Sequence, residues 1–303
     1  MVATAPSIGP CSSGEFDLLL DLLDREFIFG KGRRLSLEQR FPAVLSRQTP
    51  QTMLLAKAQN LIVSALAIKA FDWITPLRSW RAAMVGMVYT RPEWRGRGVA
   101  SLLLQAARHR MEQESYDFAV LWTTQPDFYA RLGWIGADCG VLGVAQTAIA
   151  EANQETAMPE VIRTAPAPDT AALAFIETLR RRYAPARAAR TQTSYASLPP
   201  PAEGLELLRG ESAYALVGRR NDHGYLYEMM GEPGEFPALC STLAAAYATL
   251  YLNLQRDTVA ARFFATQSAI RWQAQGLAMW LPLGATARTA CFADWYIPFL
   301  DRI

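Results

Sequence analysis

The sequence has 303 residues, of which 51% are apolar and 19% are charged, and its formal net charge is +2. A chain of this length and composition can form two globular domains or one large one. The near-neutral charge disfavours nucleic acids and anionic membranes as partners, because both are bound through a strong basic field.

The cysteines and histidines form no pattern typical of a redox or metal site. The four cysteines are widely spaced without a CxxC pair, and there are only two histidines. Residues 1–14 lack the basic and apolar regions of a secretory signal, and the run Leu243–Leu254 is too short and too polar to cross a bilayer. We therefore expect a cytoplasmic protein with reduced thiols, no metal cofactor and no membrane partner.

In the first half of the chain, apolar periodicity predicts helix, helix, three strands, helix, strand, helix and strand, in that order. Ser36 is a suitable N-cap for the second helix, and Gln59-Asn60 is typical of a tight hairpin turn. Pro92 ends the third strand because proline has no N–H to donate. The predicted helices are Glu15–Phe27, Ser36–Leu45, Val99–Glu114 and Asp127–Leu132, and the predicted strands are Thr52–Lys57, Leu61–Phe71, Ala82–Thr90 and Phe118–Thr123. Trp134–Val144 is expected to supply the last strand or strands.

A segment rich in Ala, Pro, Thr and Glu follows at residues 145–170 and indicates a linker. The order of elements after it repeats that of the first half, which indicates a diverged second copy of one fold. We predict an N-terminal domain over residues 1–148, a linker over 149–170 and a second domain over 171–303. In the second domain the predicted helices are Thr170–Tyr183, Glu235–Thr249 and Val259–Ala274, and the predicted strands are Leu205–Arg209, Ser212–Arg219, Tyr225–Met230, Leu250–Leu254 and Ala278–Pro282.

A basic, glycine-containing loop follows the strand that ends at Thr90 and leads into the next helix. The first N–H groups of a helix have no partners inside it, and the helix dipole adds about half a positive charge there. Gly96 and Gly98 let the backbone approach an anion closely, and Arg95 and Arg97 add positive charge. The loop therefore predicts a diphosphate site.

Two motifs resemble signatures of one superfamily. Arg95-x-x-Gly98-x-Ala100 matches Arg/Gln-x-x-Gly-x-Gly/Ala, the acetyl-CoA signature of the GNAT N-acetyltransferases. Gln125–Trp134 resembles their second signature, in which a tyrosine is followed by an apolar residue, glycine and an aromatic residue. The spacing between the motifs is typical of the family, so residues 15–145 are identified as a member of the GNAT superfamily.

The resemblance implies an α/β (α+β) fold, in which a mixed, mostly antiparallel GNAT sheet flanked by helices precedes a degenerate GNAT-like domain. It also implies acetyl-CoA as co-substrate, with the pantetheine arm in a splayed gap between Val88–Thr90 and the strand Phe118–Thr123. The predicted cofactor-binding residues are Val88, Tyr89, Thr90, Arg95, Gly96, Arg97, Gly98, Val99, Ala100, Ser101 and Thr124.

A more specific resemblance is to the enhanced intracellular survival (Eis) family of aminoglycoside acetyltransferases. Those enzymes have two tandem domains of this fold and a third, sterol-carrier-like domain. The sequence ends near the end of its second predicted unit, so we expect it to lack the third domain. The resemblance implies a small-molecule primary amine, such as an aminoglycoside-like polycation, as acceptor.

The resemblance places Tyr129 near the sulfur of the leaving thiolate, so Tyr129 is the candidate general acid; the alternative is that it only packs the short helix. The general base is open. Glu93 and the carboxylate of Ile303 are candidates, the latter because the related family uses its chain terminus. The helical stripe of aspartates near the N-terminus could line an acceptor cleft and attract a cation. For Glu93 and the stripe, a solvated surface is the alternative. The stripe comprises Asp17, Asp21 and Asp24.

Two further sets of residues have weaker interpretations. His109 is expected at the surface, while Arg108 or Arg110 beside it could reach the 3′-phosphate of the cofactor. In the second unit, the matching strand-to-helix junction reads Gly231-Glu-Pro-Gly-Glu-Phe236, whose acidic residues would repel phosphate, so we expect no CoA there. The aromatic residues of the second unit could shape the acceptor site or form core; they are Tyr225, Tyr227, Trp272, Trp280 and Trp295.

Two alternative functions remain. One is a non-catalytic CoA-binding sensor that keeps the loop but does not depend on Tyr129. The other is a tandem-fold aminoacyl transferase that uses a charged RNA, although the near-neutral charge disfavours RNA. Nothing in the sequence fixes the oligomeric state or the acyl group.

Overall fold

The computed structural model describes residues 5–146, 160–164, 169–267 and 270–303. Within these ranges the strands form two sheets, each flanked by helices. None of the helices described is both long and apolar enough to cross a bilayer.

The first sheet has eight strands among the described residues, in the order β1-β2-β3-β4-β5-β15-β6, with β9 beside β3. Only the β4–β5 pair is parallel. These strands are β1 (Ser7–Pro10), β2 (Met53–Ala58), β3 (Leu61–Ile74), β4 (Ser79–Thr90), β5 (Phe118–Trp122), β6 (Ile135–Gly136), β9 (Arg187–Ala188) and β15 (Ala278–Pro282).

The second sheet has seven described strands in the order β14-β7-β13-β12-β11-β10-β8, and only β12 and β13 are parallel. Its strands are β7 (Gly140–Gln146), β8 (Glu160–Thr164), β10 (Gly204–Arg209), β11 (Ala213–Arg220), β12 (His223–Gly231), β13 (Thr249–Gln255) and β14 (Ile270–Ala274). The α-helices are α1 (Phe16–Phe27), α2 (Leu37–Arg40), α3 (Val99–Gln113), α4 (Pro126–Ala130), α5 (Thr170–Tyr183), α6 (Phe236–Ala246) and α7 (Val259–Ala265).

The two halves of the chain exchange strands. The two-residue strand β9 of the second half pairs with β3 of the first sheet. β15 comes from the second half and lies between β5 and β6 of the first sheet, whereas β7 comes from the first half and lies between β13 and β14 of the second. The prediction that Ala278–Pro282 belongs to the second unit is therefore wrong, and the predicted strand Trp134–Val144 is divided between the two sheets. Apolar patterning identifies a buried strand but carries no information about which sheet buries it.

Two predicted helices are too long. α2 begins after Ser36, which forms a capping box with Gln39, but ends at Arg40 instead of Leu45. Phe41 precedes a proline, and such a residue disfavours helical geometry. α7 ends at Ala265, and part of its predicted extension to Ala274 is strand β14.

The predicted linker is not wholly irregular. Glu160–Thr164 pairs antiparallel with β10 at the edge of the second sheet, while residues 147–159 and 165–168 of the predicted linker lie outside the described part. The predicted hairpin turn is confirmed, since Gln59 and Asn60 have φ angles of 50° and 67°. Both angles are those that a two-residue hairpin requires.

An aromatic cluster fills the space between the halves. Trp295 packs against Trp73, Trp80 and Phe118 of the first half, with ring centroids 5.1–5.8 Å apart. Trp280 stacks on Phe292 at 5.2 Å. Burial of large rings from both halves indicates that the halves form one hydrophobic unit.

Candidate active site

A gap opens in the first sheet where β4 and β5 separate. The parallel pairing extends from Ala82–Phe118 to Met84–Val120 and then stops, although β4 continues to Thr90 and β5 to Trp122. Past Met84, β4 therefore has no strand partner on its β5 side. Its main-chain groups there can hydrogen-bond a ligand that enters the gap.

A bulge in β4 lies at this gap. The register with β3 shifts between Ala65–Tyr89 and Ala67–Gly86, and Met87 has a φ angle of 53°. A bulge inserts one residue and redirects the side chains that follow it. Val88 accordingly packs on the core under α3, whereas Met87 contacts the core under α1.

The loop after β4 opens α3 with two left-handed glycines. Gly96 and Gly98 have φ angles of 73° and 76°, and Gly98 is the N-cap residue, with no side-chain capping bond. A Cβ at either glycine would meet no atom within 4 Å. Glycine is therefore required by the backbone conformation, and the surrounding space stays open to a ligand.

Arg95 is held over the end of β4. Its Nε donates to the Thr90 carbonyl at 3.0 Å, and its guanidinium lies 3.9 Å from the Glu26 carboxylate. The hydroxyl of Ser64, on β3, donates to the Tyr89 carbonyl and lies 2.9 Å from the Thr90 hydroxyl. These contacts fix the strand end from which the loop starts.

A cleft of about 1050 Å³ joins these elements. It is lined by the end of β4, the glycine loop, the start of α3, the end of β5, α4 and Leu277 from the second half. Of the predicted cofactor-binding residues, Arg97 alone does not line the cleft; its guanidinium lies over the Trp94 ring at 5.3 Å. The predicted residues that line the cleft are Val88, Tyr89, Thr90, Arg95, Gly96, Gly98, Val99, Ala100, Ser101 and Thr124.

The cleft fits an elongated phosphate-bearing molecule. The start of α3 presents main-chain N–H groups, the unpaired side of β4 offers further main-chain groups, and the charged side chains on its lining are Glu26, Arg95 and Arg131. Two arginines against one glutamate favour an anion. Neither Glu26 nor Arg131 was predicted as a site residue.

Tyr129 lies in the cleft wall on α4 and is 9% exposed. Its ring packs edge-on against Phe128 and Trp134, and its carbonyl accepts hydrogen bonds from Leu132 and Trp134 N–H groups at 2.9 and 3.2 Å. Burial raises the pKa of the Tyr129 hydroxyl to about 12. This hydroxyl therefore keeps its proton at neutral pH and can donate it.

The aspartate stripe of α1 does not line the cleft. Asp17 pairs with Arg47 and Asp21 with Arg25, all largely exposed. Asp24 is buried, and its carboxylate accepts the Leu37 N–H at 2.7 Å, at the start of α2. Burial raises the pKa of Asp24.

The acid on α1 that does line the cleft is Glu26. It lies one turn beyond Leu22 near the helix end. No signal in the sequence distinguishes it from the aspartates of the stripe as the residue that faces the cleft. Of the other proposed groups, Glu93 is exposed beside Arg91, and His109 is exposed on α3. Arg108 and Arg110 form ion pairs with Glu112 and Glu114 and do not line the cleft.

Ile303 lies on the opposite face of β4 from α3. A Cβ at Gly86 would meet Ile303 atoms at 2.8–3.1 Å, so the last residue of the sequence occupies the space that a larger side chain would need. Two interactions hold the segment before it. Asp301 accepts two hydrogen bonds from Arg190 at 2.7 and 2.8 Å, and the Arg302 guanidinium stacks over Trp122 at 4.6 Å.

In the corresponding loop of the second half, the acidic side chains contact other residues of the protein. Glu232 contacts Arg182 at 2.9 Å, and the Glu235 carboxylate accepts the Ser212 N–H at 2.7 Å. None of the five aromatic residues considered for an acceptor site lines the cleft. Tyr227 and Trp280 are 1% exposed and belong to the core.

Comparison with known protein families finds a match for the first half of the chain. Residues 7–136 match the model of the acetyltransferase (GNAT) domain. No curated protein matches the sequence.

Solved structures match almost the whole chain at low identity. A GCN5-related N-acetyltransferase from Kribbella flavida has 18% identity and a TM-score of 0.70 over 94% of this chain and 73% of its own. A probable N-acyltransferase from Enterococcus faecalis V583 has 12% identity and a TM-score of 0.70, with 94% and 74% covered. Eis1 from Mycobacterium abscessus has 12% identity and a TM-score of 0.63, with 93% and 75% covered. At these identities the likeness concerns the fold alone.

Proposed function

Residues 7–136 belong to the GNAT acetyltransferase family, and on that premise we propose that the chain transfers an acetyl group from acetyl-CoA to a primary amine of a small molecule. The observation that carries the proposal is the cleft in which the open side of β4, the amide-bearing start of α3 and the buried Tyr129 hydroxyl meet. Acetyl-CoA would supply the activated acetyl thioester.

Main-chain N–H groups at the start of α3 would hold the diphosphate of acetyl-CoA, with Arg95 adding charge. The open side of β4 from Val88 to Thr90 would bind the pantetheine amides as a neighbouring strand would. Arg97 lies outside the cleft lining, so we propose that it adds only to the local field.

Tyr129 would act as general acid, donating its proton to the leaving sulfur when the amine has attacked the thioester carbonyl. Its raised pKa keeps that proton available throughout the neutral range. The amine loses a proton in the same reaction, so protons balance between acceptor and thiol. Holding the amine and the thioester together supplies much of the remaining rate.

Glu26 would attract the acceptor, because it is the acidic residue among those lining the cleft. A cationic amine gains favourable electrostatic energy beside a half-exposed carboxylate, and a polycation gains more. An aminoglycoside-like polycation therefore heads the acceptor panel.

The test combines binding with turnover. Calorimetry should detect CoA binding, and purified protein with acetyl-CoA and a panel of amines should release free thiol. Tyr129→Phe should keep the CoA affinity and lose about 10²–10⁴-fold in kcat. Tyr116→Phe, which removes the hydroxyl of a buried tyrosine outside the cleft lining, is the matched control.

Two outcomes would contradict the proposal. If CoA binds but no amine of a broad panel releases thiol, the chain is a CoA-binding sensor. If CoA does not bind, or if it binds to residues outside the cleft, the transferase assignment fails.

A further inference from the structure

The second sheet separates in the same way as the first, and its gap encloses a pocket. β12 and β13 are paired from His223–Thr249 to Leu226–Leu252 and then part. Between their ends lies a pocket of about 70 Å³, here named the second-half pocket. It is bounded by the end of α5 and the segment up to Arg187, by the starts of α6 and α7, and by Tyr296 and Pro298.

The second-half pocket is separate from the acetyl-CoA cleft and cannot serve a second CoA. No residue lines both spaces. One water needs about 10–15 Å³ of such space, so the pocket has room for a ligand of roughly five or six non-hydrogen atoms. Glu232 and Glu235 at the start of α6 would also repel phosphate.

Tyr296 and Asn253 are two of the polar side chains that line this pocket. Tyr296 is 8% exposed, and its fully buried hydroxyl has no hydrogen-bond partner among the described residues. Asn253, at the end of β13, is 7% exposed. Buried polar groups are nearly always hydrogen-bonded. A buried hydroxyl without a partner, in a pocket that Asn253 also lines, indicates a ligand that offers polar atoms.

Among the described residues that line the pocket, one cation takes part in no ion pair. Glu228 accepts from Arg190 at 2.6 Å, and Arg180 donates to Glu177 at 2.6 Å. Arg187, half-buried on β9, has no ion-pair partner among the residues the structure describes. A half-buried guanidinium stays charged and favours a planar carboxylate.

The remaining surface is apolar. Met229, Met230, Leu254, Val259 and Phe236 contribute to the lining. Packing a short hydrocarbon chain against these side chains would remove it from water, which favours binding. Methionines are especially suited to adapting their shape to such a chain.

We propose that the second-half pocket binds a small monocarboxylate with a short apolar chain, its carboxylate held by Arg187 and Asn253 and its chain packed on Met229 and Met230. The site does not depend on acetyl transfer. It gives the half without a CoA loop a ligand of its own.

The test uses butyrate as probe and butyramide as its neutral isostere, on full-length protein labelled with ¹³C at the methionine methyl groups. Butyrate should shift the Met229 and Met230 methyl signals and leave those of Met84 and Met87 unchanged. Butyramide should bind about tenfold more weakly, since it lacks the charge that Arg187 recognises.

Variants separate the site from a general effect of charge. Arg187→Gln should weaken butyrate binding about tenfold, whereas Arg181→Gln, an exposed arginine on α5, should leave it unchanged. Asn253→Asp keeps the side-chain shape and should abolish binding by repulsion, which gives a second readout if Arg187→Gln does not fold.

The proposal is overturned if butyrate leaves the Met229 and Met230 signals unchanged, because the pocket then holds only water. It is overturned equally if butyramide binds as tightly as butyrate, or if CoA displaces butyrate by competition.

Discussion

The main-chain N–H of Thr123 donates a 2.9 Å hydrogen bond to the carbonyl of Leu277. Thr123 follows β5 in the first half of the chain, whereas Leu277 precedes β15 in the second, and both line the cleft of the candidate active site. One wall of the cleft is therefore built from residues more than 150 positions apart in the sequence. The strand exchange makes the second half part of the candidate active site.

We predict that a fragment of residues 1–148 does not bind CoA. Without β15, β5 has an unpaired edge and β6 loses the strand that pairs with it. Exposed edges of this kind favour aggregation over folding. Calorimetry on the fragment should detect no binding, and co-expression with residues 149–303 should restore it. Binding by the isolated fragment at full-length affinity would show that β15 is dispensable.

We predict that Gly98→Ala weakens CoA binding. No atom lies within 4 Å of an added Cβ, so the cost comes from the φ angle of 76° alone and amounts to about 1–2 kcal/mol. A shift of the loop out of this conformation would raise the Kd for CoA roughly tenfold. Gly9→Ala on β1, also with open space around the added Cβ, is the control. An unchanged Kd would mean that the loop conformation does not matter to binding.

We predict that deprotonation of Tyr129 does not lower kcat/KM at neutral or mildly alkaline pH. A general acid is active in its protonated form, and burial raises the pKa of Tyr129 to about 12. The protonated form therefore dominates until the pH approaches that value, and deprotonation above it should lower the rate. A pH–rate profile from neutral pH to about pH 10, compared with that of Tyr116→Phe, checks this. A descending limb near the ordinary tyrosine pKa that disappears in Tyr129→Phe would contradict the raised pKa.

We predict that Asp301→Asn strongly destabilises the protein. Burial alone would raise the pKa of Asp301, but the charge and hydrogen bonds of Arg190 outweigh it and hold the pKa below its usual value. Breaking a buried pair costs about 3–5 kcal/mol, and here it leaves Arg190 with Glu228 as its remaining acidic partner. Urea unfolding measures the change. Asp21→Asn, which breaks an exposed pair with Arg25, should cost less than about 1 kcal/mol.

The ion pair between Asp301 and Arg190 also affects how the free energy of unfolding changes with pH. Because the folded-state pKa of Asp301 is lowered, the stabilisation is present above its usual pKa near 3.8 and is lost as the pH falls through the folded-state value. The free energy of unfolding of the unaltered protein should therefore fall in acid more steeply than that of Asp301→Asn. Parallel acid profiles for the two proteins would show that the pair does not contribute.

We predict that Gly86→Ala displaces the segment that ends at Ile303. The added Cβ would lie 2.8 Å from a side-chain atom and 2.9 Å from the carbonyl oxygen of Ile303, and overpacking of this kind costs about 1–3 kcal/mol. Urea unfolding of Gly86→Ala and of the Gly9→Ala control measures it. Equal stability of the two variants would show that the segment yields without cost.

Much of the local structure follows from the sequence. The hairpin at Gln59-Asn60, the N-cap at Ser36 and the glycine loop before α3 were predicted, because each depends on backbone preferences of a few adjacent residues. Errors arose where a local pattern was ambiguous. One such error was the predicted extension of α7 to Ala274. Ile270 and Trp272 belong instead to β14, which pairs with β7 in the second sheet.

By itself, the sequence determined the order of elements, the strand–loop–helix that points to acetyl-CoA and the tyrosine that follows it. Only the tertiary structure decided that β7 and β15 change sheets, that Glu26 rather than the aspartate stripe faces the cleft, and that Arg190 holds the segment leading to Ile303. Local patterns report the backbone preference and the burial of a residue. The partner that buries it is chosen by packing between segments far apart in the chain, which no short window of sequence contains.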